Sequence, residues 1–203
     1  MPSLFGKRNG IFSISRKRLY IHVFFVSIIC WFFFFHKRNY NLTHEGIVHN
    51  ADPEQVWEFV ADFSNMMKLN PTIEEFNILK ESGNYEHWKY WVEYTEHLSA
   101  TTWIKNHAVG QYSIKRSGHG FVIESKHTTC FIFGMNCFYT EAEFFFERSG
   151  DHDTRCIETI HYQCPLGFIG MCEGEVKAQR KLIMGNLRQH FSTLHTNKHN
   201  KKV

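Results

Sequence analysis

The sequence predicts an α+β fold: seven antiparallel strands, two short helices after the first strand, one long C-terminal helix and an apolar helix at the N-terminus. Three observations carry that prediction. Turn chemistry recurs at fairly regular intervals between residues 73 and 164, at Ser82-Gly83-Asn84, Gly118-His119-Gly120, Gly134-Met135-Asn136 and Ser149-Gly150-Asp151. The runs between these turns are rich in β-branched and aromatic residues. Val176, Arg180, Ile183, Leu187, Phe191 and Leu194 then recur at three- and four-residue steps, the stripe of a single amphipathic helix.

The first apolar segment is Leu19 to Phe35, 17 residues with His22 as its one ionisable group. A spanning helix needs about 17–25 residues, so this is a short membrane anchor. The alternatives are a cleaved signal peptide and a mitochondrial presequence. A signal peptide has a shorter apolar region followed by small residues. Here the segment ends in four Phe and then His36-Lys37-Arg38. Five Lys and Arg precede it (Lys7, Arg8, Arg16, Lys17, Arg18) and two follow, so the positive-inside rule keeps the N-terminus cytoplasmic and puts the domain in the lumen. A short span suits the thin bilayer of the endoplasmic reticulum. The sequon Asn41-Leu42-Thr43 lies close to the anchor. The chain therefore divides into a basic tail (1–18), the anchor (19–35), a polar linker (36–43), a folded domain (44–195) and a basic C-terminal tail (196–203).

Within the domain, strand one runs over about residues 44–50. Asp52 is a helix N-cap, Pro53 suits the first helical position and Gln55 completes a capping-box-like pattern. Val56, Phe59, Val60 and Phe63 follow at helical spacing. Ser64–Leu69 forms a second short helix, stopped by Pro71. Strands follow near 73–81, 86–97, 101–116, 120–132, 137–147 and 154–164, antiparallel because their links are short. The long helix covers 168–195, and the tail beyond it is frayed.

The order strand, two helices, six strands, long helix resembles the START-like superfamily, the polyketide-cyclase and pollen-allergen type of helix-grip fold. The residues that carry the resemblance are Asp52-Pro53-Glu54-Gln55-Val56-Trp57 and the step Asp62-Phe63-Ser64-Asn65. It covers about residues 44–195. It implies a curved sheet wrapped around the C-terminal helix, with a lipid or other apolar small molecule bound between them. On that reading Trp88, Tyr90, Val92 and Tyr94 face the cavity from one strand. Phe138, Thr140, Ala142 and Phe144 face it from another, by strict period-two alternation. Val176, Arg180, Ile183 and Leu187 face it from the helix. The ligand is expected to enter by movement of the second short helix and the loop around Asn65–Pro71.

Chemistry beyond ligand binding has little support in the sequence. A net charge of +3 is too small to argue for a nucleic-acid partner. The 14 His and 6 Cys form no C-x-x-C, H-E-x-x-H or H-x-H, so neither a metal nor another cofactor is expected. Arg180 and Glu158 are the acid–base candidates for a cyclase- or hydratase-like alternative; snorkelling from the stripe edge is the expected behaviour of Arg180. Glu158 is assignable to either face. Cys156 and Cys164 lie roughly 27 Å apart along one strand, too far to bond. Cys164 and Cys172 flank a turn, and their pairing stands against five buried free thiols. A solid-core interaction module without ligand is the third reading. Oligomeric state is not encoded in any visible pattern.

Overall fold

The computed structural model describes residues 16–131, 134 and 136–200. The basic N-terminal tail before residue 16, residue 132 of the fifth predicted strand, Met135 of the following turn and residues 201–203 lie outside the described residues. The element order is α1 (Arg16–Phe35), β1 (Lys37–Val48), α2 (Pro53–Ala61), α3 (Phe63–Leu69), β2 (Ile73–Asn84), β3 (His87–Leu98), β4 (Thr101–Ser117), β5 (Gly120–Phe131), β6 (Asn136–Ser149), β7 (Asp153–Pro165) and α4 (Ile169–Asn200). The strands form one antiparallel sheet of order β1-β7-β6-β5-β4-β3-β2. This is a helix-grip arrangement.

Two expectations need correction. Residues 37–43, read as a polar linker, form the first half of β1, paired from Lys37↔Pro165 to Thr43↔Thr159. Only His36 separates α1 from the sheet. The long helix continues through 200 instead of ending at 195. Leu194, assigned to its buried stripe, is 44% exposed; Met184 is buried instead.

Local chemistry explains the helices near the far end of the sheet. Asp52 Oδ1 accepts from the Glu54 backbone N–H at 3.1 Å, and Pro53 occupies the first turn of α2, where its missing N–H costs nothing. Arg148 donates to the other carboxylate oxygen of Asp52 at 2.6 Å, tying α2 to β6. Asp62 repeats the capping role for α3, accepting from Ser64 N–H. Tyr90 Oη donates to the Ala61 carbonyl and Asn186 Nδ2 to the Leu69 carbonyl, fixing α2 and α3 between sheet and α4.

Helix α4 runs back along the concave face. Gly46 allows its close approach to β1: a Cβ there would lie 2.7 Å from Met184 Sδ. Two disulfides brace the opposite, near end of the sheet. Cys164–Cys172 joins the end of β7 to the first turns of α4. Cys130–Cys137 bridges β5 and β6 at directly opposed positions. Cys156 is a buried free thiol and Cys30 an exposed one.

Candidate functional site

Side-chain alternation on β3 to β7 fills the space between sheet and α4 in layers. Trp88, Tyr90, Val92 and Tyr94 all point inward, from half-buried Trp88 to fully buried Val92. Tyr90 stacks on its cross-strand neighbour Tyr112 at 4.8 Å. Phe144 packs in the same cluster, together with Phe63 of α3 and Ile183, Met184 and Leu187 of α4. Toward the near end a second apolar cluster forms. Ile160, Tyr162 and Cys164 of β7 pack with Tyr40, Leu42, Ala142, Cys172 and Val176. Phe138 and Thr140 share the inward face of β6 but are only half-buried and belong to neither cluster. Apart from Phe138, Thr140 and Arg180, the sequence-derived residues fall in one or the other of these two apolar clusters.

A polar layer lies between those clusters. Arg180, on the α4 stripe between Val176 and Ile183, donates from a guanidinium N–H to Glu158 Oε1 at 2.6 Å. Glu158 is buried on the inward face of β7, opposite Phe144. Arg180 therefore turns inward to a carboxylate, not outward to water as snorkelling would have it. The reason is energetic: an unpaired Glu158 would be a desolvated charge, and the guanidinium compensates it.

The layer contains groups that the sequence reading passed over. Glu96 and Asn106 face each other across β3 and β4, both buried. Burial pushes the Glu96 carboxyl up to about 7, against the opposing pull of Arg180 and the Asn106 amide. Tyr94 Oη and His127 Nδ1 share a hydrogen bond of 3.0 Å. Burial, with Arg180 adding to it, depresses His127 to about 4, so its imidazole is neutral near pH 7. Burial likewise raises the Tyr94 and Tyr112 hydroxyls above the usual phenol range. Glu96 continues the alternation of Trp88, Tyr90, Val92 and Tyr94, so period two alone places it on the inward face. Tyr112 shares the inward face of β4 with Ala108 and Ile114, and the strand register sets His127 opposite Gly110, one inward position away.

Two buried polar atoms in this layer lack partners among the described residues: Arg180 Nε, a donor, and Asn106 Oδ1, an acceptor. Such orphans are costly in a native interior. Two grooves open elsewhere on the surface. One of about 290 Å³ lies between α3 and the C-terminal half of α4, lined by Leu69, Asn186 and His190 among others. The other, about 520 Å³, lies beside Glu45, Gly46 and Arg188. Neither reaches the polar layer. Among the described residues, no three His, Cys, Asp or Glu side chains converge as a metal site.

No protein-family model matches the sequence, and no curated protein matches it. Solved structures do resemble the fold. The human StAR-related lipid transfer protein 5 is 18% identical, with a TM-score of 0.59 over 76% of each chain. The Zhui aromatase/cyclase of Streptomyces sp. R1128 is 13% identical, with a TM-score of 0.55 over 76% of this chain and 94% of that one. The norcoclaurine synthase of Thalictrum flavum is 10% identical, with a TM-score of 0.53 over 75% of this chain and 86% of that one. At these identities the likeness defines the fold: the chain has the helix-grip fold of START-like proteins, which supports different functions on one scaffold.

Proposed function

We propose that this protein is a membrane-anchored carrier that binds an apolar molecule bearing one polar group between the sheet and α4. The observation that carries the reading is the polar layer between two apolar clusters. Arg180 Nε has a hydrogen to give and Asn106 Oδ1 a lone pair to offer. A hydroxyl, which both donates and accepts, matches that pair. An apolar body on either side suits the aromatic and aliphatic walls. The relatives in fold include a lipid transfer protein, in keeping with such a ligand. The contact residues on this reading are Trp88, Tyr90, Val92, Tyr94, Phe138, Thr140, Ala142, Phe144, Val176, Arg180, Ile183 and Leu187. Helix α1, long and apolar enough to span a bilayer, holds the domain beside its ligand's source.

A second reading, a solid-core interaction module, is favoured by the packing of the interior. Val92, Leu187 and Phe146 have no solvent contact at all. The test separates the two. Residues 36–203 would be purified from a eukaryotic host, and bound lipid extracted and identified by mass spectrometry. Stoichiometric recovery of one lipid class, lost in Arg180→Met, supports the carrier. Recovery of no lipid in either form leaves the solid core. A catalytic alternative rests on Glu96, whose carboxyl near 7 suits proton transfer; turnover of a recovered ligand that Glu96→Gln abolishes would establish it.

A further inference from the structure

The two ends of the sheet differ in character. Both ends carry ion pairs, at the far end around α2 Arg148–Asp52, His49–Asp153 and Arg116 with both Glu54 and Glu86, at the near end Lys105–Glu74 and Lys177–Glu173; the difference lies in their exposed apolar side chains. The near end is where β1 begins and β7 ends. By antiparallel order the β3–β4 and β5–β6 turns lie there too. Three large apolar side chains are open to solvent on this end: Trp103 at 81%, Met171 at 55% and Phe168 at 36%. Trp103 opens β4, just after the β3–β4 turn. That turn docks on α4, because Ser99 donates to Glu175 from both its backbone N–H and its hydroxyl.

The near end is also where α1 leaves the domain. One residue, His36, connects the helix to β1, and one residue spans at most about 3.6 Å. The junction is packed as well. Phe34 meets Phe168 with ring centroids 5.5 Å apart, and Phe33 lies so close to Gly167 that a Cβ there would be 2.8 Å from its ring. Of the two basic residues that follow, Lys37 donates to the Cys137 carbonyl, and the exposed Arg38 is of the type whose charged head reaches lipid phosphates from a helix end. The tether has no slack.

We infer that the near end rests on the bilayer that α1 spans, with Trp103, Phe168 and Met171 at the headgroup boundary. The inference depends on the reading of α1 as a spanning helix. The short junction brings the near end to the membrane surface. The exposed aromatics there then exchange water for the interface, where indole rings are most at home. The far end, around α2, then faces the aqueous side. In this posture the half-buried inward residues Phe138 and Thr140, near the start of β6, lie toward the membrane end. The loop that ends at Pro71 enters β2 at this same end, where Thr72 O accepts from His97 N–H, so a lipid would reach the interior from the membrane end.

Tryptophan fluorescence tests the posture on the full chain in phosphatidylcholine vesicles, with or without brominated acyl chains. The contributions of Trp103 and Trp31 are read from Trp103→Phe and Trp31→Phe variants by difference. Both positions are highly exposed, so neither replacement disturbs the core. The expected result is loss of intensity from both residues in brominated lipid and poor access of aqueous iodide to Trp103. If Trp31 is quenched by brominated lipid while Trp103 responds only to iodide, the docked posture is overturned and the anchor stands. If Trp31 is not quenched by brominated lipid, the anchor falls and the posture with it. Lipid recovery from the domain bears on neither result, so failure of the carrier reading is separable from failure of this one.

Discussion

Glu96 and His127 titrate in opposite senses inside the same polar layer. Burial raises Glu96 from 4.5 to about 7, so the folded state holds its proton where the unfolded chain has lost it. The stability this gives is fully present below pH 4.5 and is lost as pH rises through 7. His127 falls from 6.5 to about 4, so the unfolded chain binds the extra proton between those values. Its contribution is present above 6.5 and is lost as pH falls through 4. Between about 4.5 and 6.5 the two slopes oppose each other. Glu96→Gln removes one of them. The expected outcome is a variant equal to the wild type at pH 4.5 and more stable by up to about 3 kcal/mol at pH 8, at 1.36 kcal/mol per pK unit. Urea unfolding at a series of pH values measures this, and a difference independent of pH would show that folding does not shift the Glu96 carboxyl.

At the scale of elements, the disulfide Cys164–Cys172 ties the end of β7 to the first turns of α4 across the Pro165 turn. Closing a loop this short stabilises by about 2–3 kcal/mol in the chain-entropy account. Cys172→Ser is expected to lose that amount in urea unfolding and to speed amide exchange over Ile169–Val176 more than over the Ile183–Phe191 half of the helix. Equal protection of both halves would mean that packing of Cys172 and Val176 on Tyr162 holds α4 by itself. These elements differ in how far they were legible in the sequence. The seven strands and α4 were visible because inward apolar positions alternate and turn residues bracket them. The first half of β1 was not: Arg38, Asn39, Asn41 and Thr43 are exposed on an edge strand, so Tyr40 and Leu42 alone carried the period. Cys130–Cys137 escaped because it depends on register. A strand taken to residue 132 pairs wrongly, whereas Phe131↔Asn136 sets the two cysteines opposite each other. The inward residues of the candidate site were legible by period two. So was the inward position of Glu96, but the partnership of Arg180 with Glu158 was not, since it is a contact between residues 22 apart on different elements.

For the whole molecule, if α1 spans a membrane, the Lys and Arg count around it and the two disulfides would agree on a lumenal domain. An oxidising lumen permits the disulfides, and the charge rule keeps the N-terminus in the cytosol. In sealed microsomes, residues 37–203 are therefore expected to resist added protease until detergent is present. Digestion in intact vesicles would place the domain in the cytosol, with its thiols reduced. Processing on import into mitochondria would remove the anchor from the mature protein altogether.

The one-residue junction between α1 and β1 also limits distance. A free carrier can cross the aqueous gap between two membranes, and its range is set by diffusion. On the anchored-carrier reading, a domain joined to its helix through His36 alone would move with the bilayer and reach no further than its own thickness, roughly 40 Å for a chain of this size. Cargo held in such a domain can pass only to another leaflet or protein brought within that span. Throughput would then follow the area of close membrane contact and the lateral density of the protein, not its total concentration.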